Sequence, residues 1–284
     1  MRILVTGGSG FVGASVIRRL SGKHTVVGLS RRDSPGAHES IRHDLSVPGV
    51  QPILEATFPC EVIVHAAAHI DMNPLSRDVV QTNTTGALNV LELASSWGAY
   101  VIYLSSIQVI GFPREFPITE EHPTAPRTTY HATKLFGEHI LAAPGRNGCA
   151  LRLTAPVGVT MPRNRILPVF AERAGRGDKL ILAGKGGRRQ DYVLVDDIAD
   201  AVSNCLKARP TGVYNLGSGV SISNLELARL CVETLNSRSE IVFGSYPDPE
   251  ENAEWDVSVE KAQRDFGYTP HPDLRHLIRA LAAG

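Results

Sequence analysis

Apolar residues follow two alternating rhythms along this chain. Short unbroken runs occur at Ile3-Leu4-Val5, Thr25-Val26-Val27-Gly28-Leu29, Val62-Ile63-Val64 and Val101-Ile102-Tyr103-Leu104. Such runs suit strands buried on both faces, as in a parallel sheet. Between them, apolar positions fall with helical spacing: Val16, Ile17 and Leu20; then Leu88, Leu91 and Leu93; then Leu135, Phe136, Ile140 and Leu141. Asn83 is expected to open the second of these helices, which runs to Trp97. The alternation continues to about residue 155 and predicts an α/β fold with a doubly wound parallel sheet and right-handed crossovers.

Beyond the run Cys149-Ala150-Leu151-Arg152-Leu153 the texture changes. Arg163, Asn164 and Arg165 precede a helix to Gly175, and a turn is expected from Gly184 to Gly187. Asp196-Asp197 place acids at the positive end of another helix. Val213-Tyr214-Asn215-Leu216-Gly217 reads as one more strand, and Ser223-Asn224-Leu225-Glu226 as a capping box. This loop-rich part reads as a smaller C-terminal α/β lobe, laid over the carboxyl ends of the strands where ligands bind in such sheets.

The junction after the first strand carries the first candidate chemistry. Thr6-Gly7-Gly8-Ser9-Gly10-Phe11-Val12-Gly13 lies between strand and helix. Gly7 would permit a tight turn, Gly10 would let backbone approach a pyrophosphate, and Gly13 would let helix and strand pack closely. The helix N-terminus would then face the phosphates with free N–H groups. After the second strand stands Ser30-Arg31-Arg32 rather than the usual acid. Guanidiniums suit a 2′-phosphate, so NADP is favoured over NAD, with Asp33 as the residue that would reach a ribose instead. Asp44-Leu45 either touches the adenine or is a solvated loop. His65-Ala66-Ala67 would lay backbone against the cofactor, with His65 a hydrogen-bonded packing residue rather than a metal ligand.

Tyr130 and Lys134 stand four apart in a helical pattern and so share one face. A nearby ammonium favours a phenolate, so Lys134 is expected to lower the Tyr130 pKa and fit it for proton transfer. Ser105-Ser106 end a strand shortly before, and a loop rich in proline, from Gly111 to Pro126, would cover the site.

Composition narrows the class. Lys+Arg and Asp+Glu balance at 29 each, so no net field invites nucleic acid or a membrane surface. The four cysteines include no C-x-x-C pair and read as buried, inert thiols. The apolar run at Arg2-Ile3-Leu4-Val5-Thr6 is too short for a signal-peptide core, and a cytoplasmic location is expected.

Taken in order, Thr6-Gly7-x-x-Gly10-x-x-Gly13, Asp44-Leu45, His65-x-Ala67-Ala68, Asn83, Ser105-Ser106, Tyr130-x-x-x-Lys134, Asp191-Tyr192-Val193-x-Val195-Asp196-Asp197 and Asn215-Leu216-Gly217 resemble the extended short-chain dehydrogenase/reductases, in their NAD-dependent epimerase/dehydratase group. The resemblance implies a Rossmann domain, expected at 1–159 and 191–217, and a substrate lobe at 160–190 and 218–284. It implies an enzyme in which Tyr130 is the acid/base. Lys134 would bind the nicotinamide ribose, Ser106 would orient the substrate oxygen, and Asn83 would support the site from behind. Pro156 and Val157 complete the expected cofactor contacts, and Ser106, Ile107, Gln108, Arg163 and Arg189 the substrate contacts. Many members act on nucleotide sugars and form homodimers, here through the helices after Asn83 and around Tyr130.

Two departures narrow the reaction. Dehydratases of the group carry Asp-Glu after the serine position, where this chain has Ile107-Gln108. The epimerases' diphosphate contacts correspond to Ala155 and Gln190, and the stretch Asp248 to Asp256 has no arginine. Arg189, Arg163 or Arg165 would have to substitute. The reading is therefore an NAD(P)-dependent epimerase or ketoreductase of a sugar, nucleotide-linked or not. A reductase or dehydrogenase of a non-nucleotide ketone or alcohol, and a non-catalytic NADP-binding regulator, stand as alternatives.

Overall fold

The structure is a computed structural model that describes residues 1–283. Twelve strands occur in chain order: β1 (Arg2–Thr6), β2 (Thr25–Ser30), β3 (Glu39–Arg42), β4 (Val62–His65), β5 (Tyr100–Ser106), β6 (Gly148–Leu153), β7 (Ala155–Val157), β8 (Leu180–Leu182), β9 (Arg189–Leu194), β10 (Gly212–Leu216), β11 (Ser221–Ser223) and β12 (Ile241–Phe243). Seven of them form one parallel sheet in the order β10-β6-β5-β4-β1-β2-β3. From β1 the chain winds outward to β3, then returns to β4 on the other side of β1 and winds the opposite way. The crevice beyond the carboxyl ends of β1 and β4 is therefore the topological switch point. Register lines up the residues at its rim. Thr6 lies level with both Leu29 and His65, His65 with Tyr103, and Ser106 with Leu153.

Ten helices cover the sheets: α1 (Phe11–Leu20), α2 (Gln51–Ala56), α3 (Arg77–Val80), α4 (Gly86–Trp97), α5 (Thr129–Leu141), α6 (Ile166–Arg176), α7 (Val195–Ala208), α8 (Asn224–Thr234), α9 (Glu260–Phe266) and α10 (Arg275–Ala283). Strand alternation sorts the main core into two layers. Ile3, Val5, Val62, Val64 and Ile102 face α1 and α7, whereas Leu4, Ile63 and Val101 face the side of α2 and α4. A third core gathers α6, α8 and α10 over β8. The anticipated capping box at Ser223 and Glu226 is formed, each side chain bonding the other's backbone N–H.

One expectation needs correcting, and the packing crosses the bounds of another. Asn83 does not open a helix. The helical segment begins at Arg77, and Asn83 sits inside a π-helical turn, Gln81–Thr85, before α4. Thr84 bonds back to the Val80 carbonyl at 2.6 Å there, while the Asn83 amide turns inward. Nor do the expected lobe edges at 159 and 217 coincide with the packing. β7 pairs with β9 in a separate three-stranded sheet, and Val157 belongs to the third core. Val259, Ala262, Phe266 and Tyr268, beyond the expected edge, pack into the main core through α7 and β10.

A buried ion pair ties the main sheet to α5. Arg152 on β6 donates to both carboxylate oxygens of Glu138 on α5, with Nη2 at 2.8 Å and Nε at 3.0 Å, and Ser105 of β5 donates to the same group at 2.5 Å. Both charged side chains are 5% exposed. Arg152→Met would leave that carboxylate buried and unpaired, and is expected to lower unfolding free energy by about 3–5 kcal/mol in chemical denaturation. Adding Glu138→Leu should recover most of the loss. Equal destabilisation of the single and double variants would show that the pair is not what holds these elements together.

Candidate active site

The glycine turn explains its own composition. Gly7 has φ +69°, and a Cβ there would lie 2.7 Å from Ala67 Cα. A Cβ on Gly13 would lie 2.2 Å from the Gly7 carbonyl oxygen, so α1 packs against the turn only with glycine at that point. Gly10 differs: it is exposed, and a Cβ there would meet a single atom, Gly7 O at 3.1 Å. What the fold reserves at Gly10 is open space in front of the α1 N-terminus, where no side chain caps the helix and no acid stands in the first turn. The Phe11, Val12 and Gly13 N–H groups lie in that first turn. This cradle fits a dinucleotide phosphate. Phe11 itself packs toward Gly158 and the third core.

The adenosine end is less uniform. Ser30 is buried, and its Oγ accepts from the Ser9 N–H at 3.1 Å, so it braces the glycine turn. Arg31 and Arg32 are exposed and make no ion pair among the described residues. Asp33 is held by Arg42 through two bonds, which commits its carboxylate and pulls its pKa down. Asp44 accepts from the Ser46 N–H at 2.9 Å and caps its own turn. Asn89 holds the rest of that loop through the Leu45 and Val47 carbonyls.

At the switch point, Thr6 Oγ1 meets His65 Nδ1 at 2.7 Å and accepts from the Ala67 N–H at 3.2 Å. Burial pushes His65 down to about 3, with Lys134 adding to the shift, so the ring is neutral. Thr6, braced by His65, thus fixes the course of Ala66 and Ala67. Among the described residues no cluster of His, Cys, Asp or Glu could hold a metal.

Helix α5 brings Tyr130, Lys134 and Glu138 to one face at successive turns. Lys134 is buried, donates to the Leu104 carbonyl at 2.8 Å, and lies 6.0 Å from the Tyr130 ring centroid. Burial lowers its pKa to about 8, against an opposing pull from Glu138. The expected depression of the Tyr130 phenol is absent. Desolvation pushes it up to about 12, although the residue keeps part of its surface in the cleft. The ammonium is pinned to a carbonyl on the far side, and desolvation wins. The paired serines divide by strand alternation: Ser105 turns inward to Glu138, while Ser106 stays at the surface of the crevice. Ser106 Oγ accepts from the Gln108 N–H at 3.3 Å, which leaves its own O–H to donate elsewhere. Asn83 bonds His69 N at 2.8 Å, His69 O at 3.1 Å and Thr133 Oγ1 at 2.9 Å, clamping the loop after β4 to α5.

On the substrate side, Ile107 is buried and Gln108 half-buried. Pro156 is half-buried, and Val157 is a core residue. Arg163 is engaged with Glu172 and the Leu281 carbonyl, and Arg189 with Glu226 and the Ser221 carbonyl. Arg165 is exposed before α6. Glu138 is a site-supporting residue that sequence reasoning passed over. Its position one turn beyond Lys134, on the same helix face, was the available signal.

Comparison with known proteins agrees with this geometry. A sequence model described as the NAD dependent epimerase/dehydratase family matches residues 3–217. The chain is 27% identical over 301 residues to UDP-glucuronic acid decarboxylase 2 of Arabidopsis thaliana, covering 97% of this chain and 66% of that relative. It therefore spans just under two thirds of that relative's length. The UDP-glucose 4-epimerase of Thermotoga maritima, solved with UDP-glucose, superposes with a TM-score of 0.88 at 24% identity over 100% of this chain and 98% of its own. The UDP-glucose 4-epimerase of Thermus thermophilus, solved with NAD, gives a TM-score of 0.85 at 25% identity, over 100% and 98%. With the family model spanning the glycine turn, Ser106, Tyr130, Lys134 and all seven strands of the main sheet, the chain belongs to the NAD dependent epimerase/dehydratase family.

Proposed function

We propose that this chain is an NAD(P)-dependent epimerase or ketoreductase acting at a secondary hydroxyl or ketone of a nucleotide sugar, of the 4-epimerase or 4-ketoreductase type. The observation that carries the reading is the Tyr130–Lys134 face of α5 set beside the unspent Ser106 hydroxyl at the switch point. A bound nicotinamide dinucleotide would supply the hydride chemistry, held at its phosphates by the α1 N-terminus and at its ribose by Lys134. Tyr130, protonated at neutral pH, gives its proton to the substrate oxygen when a ketone is reduced, and as phenolate takes the hydroxyl proton when an alcohol is oxidised. Ser106 donates to the same oxygen and stabilises the charge that develops there. No carboxylate follows Ser106, so elimination of water is not part of the reading.

Exposed Arg31 and Arg32, with Asp33 committed to Arg42, favour a 2′-phosphate and hence NADP. The Thermus thermophilus neighbour, solved with NAD, favours the alternative. A second substrate reading, a non-nucleotide ketone or alcohol, draws on Arg163 and Arg189 being committed to protein partners. A homodimer through α4 and α5 fits the exposed Leu88 and the cleft it forms with Leu91, His139 and Ile140.

Tyr130→Phe is expected to cut turnover about 10²–10⁴-fold while leaving dinucleotide binding, read by fluorescence, intact; a wild-type rate would end the assignment. Arg31→Ala should abolish a preference for NADPH over NADH in the same titration. An undiminished preference would remove Arg31 from the phosphate site. Lys134 makes a pH prediction. Its folded-state pKa, about 8, lies below the ordinary 10.5, so below pH 8 the full cost of burying the ammonium is present. Between those values the folded chain sheds the proton that the unfolded chain keeps, and stability rises with pH. Measured against Lys134→Met, wild type should gain about 3 kcal/mol of unfolding free energy across that window; a flat difference would show that the ammonium is solvated.

A further inference from the structure

The arginines nominated from sequence are not the ones that gather beside α5. Arg127 stands three residues before Tyr130, and its guanidinium stacks on the Phe112 ring at 3.6 Å. Its Nη1 lies 3.3 Å from Glu250 Oε1, while Arg188 Nη2 lies 2.7 Å from Glu250 Oε2. Two guanidiniums thus share one carboxylate. The cluster lies against the first turn of α5, where the charges of Glu250 and Arg127 both act on His131, the neighbour of Tyr130.

Strand geometry explains how Arg188 gets there. Residues 188 and 190 lie on one face of the chain entering β9, and Arg189 on the other. Arg189 accordingly turns to Glu226. With its amide turned so that the oxygen faces Arg188, the orientation that satisfies both ends, Gln190 accepts from Arg188 Nε at 3.0 Å and Nη2 at 2.9 Å, and its nitrogen donates to Tyr192 Oη at 3.1 Å. Gln190 is therefore a positioning residue for Arg188. The carboxylate partner is presented by a fixed turn. Glu251, next in the chain, accepts from the Lys185 N–H at 2.9 Å and the Gly187 N–H at 2.7 Å. With that anchor in place, rotation of the Glu250 side chain alone opens both arginines.

We infer that Arg127 and Arg188 form an anion clamp beside the catalytic helix, and that Glu250 is an internal carboxylate displaced by a phosphoryl or carboxylate group of the ligand. This rests on the proposed nucleotide-sugar reading and names how this chain would hold the anionic part of such a substrate. The three side chains are 26–46% exposed, so the internal pairs are weak and exchange is cheap. A phosphoryl group accepts from both forks at once with more charge than Glu250 brings.

The test is calorimetric binding of three probes to the full chain: UDP, inorganic pyrophosphate and glucuronate. Arg188→Ala and Arg127→Ala are expected to weaken the responding probe about tenfold. Glu250→Gln, which removes the internal competitor, should tighten it about threefold. The opposite signs separate a binding clamp from a merely structural cluster. A response confined to UDP and pyrophosphate assigns the clamp to phosphoryl groups, and one confined to glucuronate assigns it to a carboxylate. The inference is overturned if Glu250→Gln leaves every affinity unchanged or weaker, or if no probe binds. Because the readout is binding, such a failure is distinct from retained turnover in Tyr130→Phe.

Discussion

A charged column inside α5 is the constraint around which the rest of the site is arranged. An ammonium and a carboxylate one turn apart, both almost fully buried, are tolerated only where each finds polar partners. Glu138 is met by the Arg152 fork from β6 and by Ser105 from β5, and Lys134 by the Leu104 carbonyl. Those partners fix α5 against the two strands whose carboxyl ends form one wall of the crevice. Tyr130 on the first turn of α5 and Ser106 at the end of β5 are both carried by these braced elements.

The same arrangement sets the electrostatics. Lys134 is close enough to the Leu104 carbonyl to be held, and far enough from Tyr130 that burial dominates the phenol. A proton donor at neutral pH follows directly. An acceptor role requires a further positive field or a hydrogen bond to the phenolate. Burial thus adds to the phenol's ordinary preference for its protonated form.

Much of this was legible in the sequence because it rests on local rules. Buried runs gave the strands, glycines gave the tight turn into α1, and a four-residue spacing gave the Tyr130–Lys134 face. The π-helical turn at Asn83 was not legible, since it depends on His69 and Thr133, contributed from 14 residues before it and 50 after it. The Tyr130 pKa was misjudged in direction for a similar reason. Sequence supplies the neighbour of the phenol but not the depth of the cleft or the carbonyl that holds the ammonium away. The packing crosses the expected lobe edges because α9 lies late in the chain yet packs into the main core.

The arginines show most clearly where spacing outperforms identity. Arg188, Arg189 and Gln190 are adjacent, and composition alone gives no reason to choose between the first two. The pleat does: it sends alternate side chains to opposite faces, so position 188 shares the face of position 190. An arginine moved by two positions along a strand keeps its side, and its longer reach covers the roughly 6–7 Å shift along the chain. One moved by a single position crosses to the other face and finds Glu226 instead. A missing arginine at 190 therefore does not imply a missing guanidinium, and with its amide oxygen turned toward Arg188 the uncharged residue there steadies the Arg188 fork.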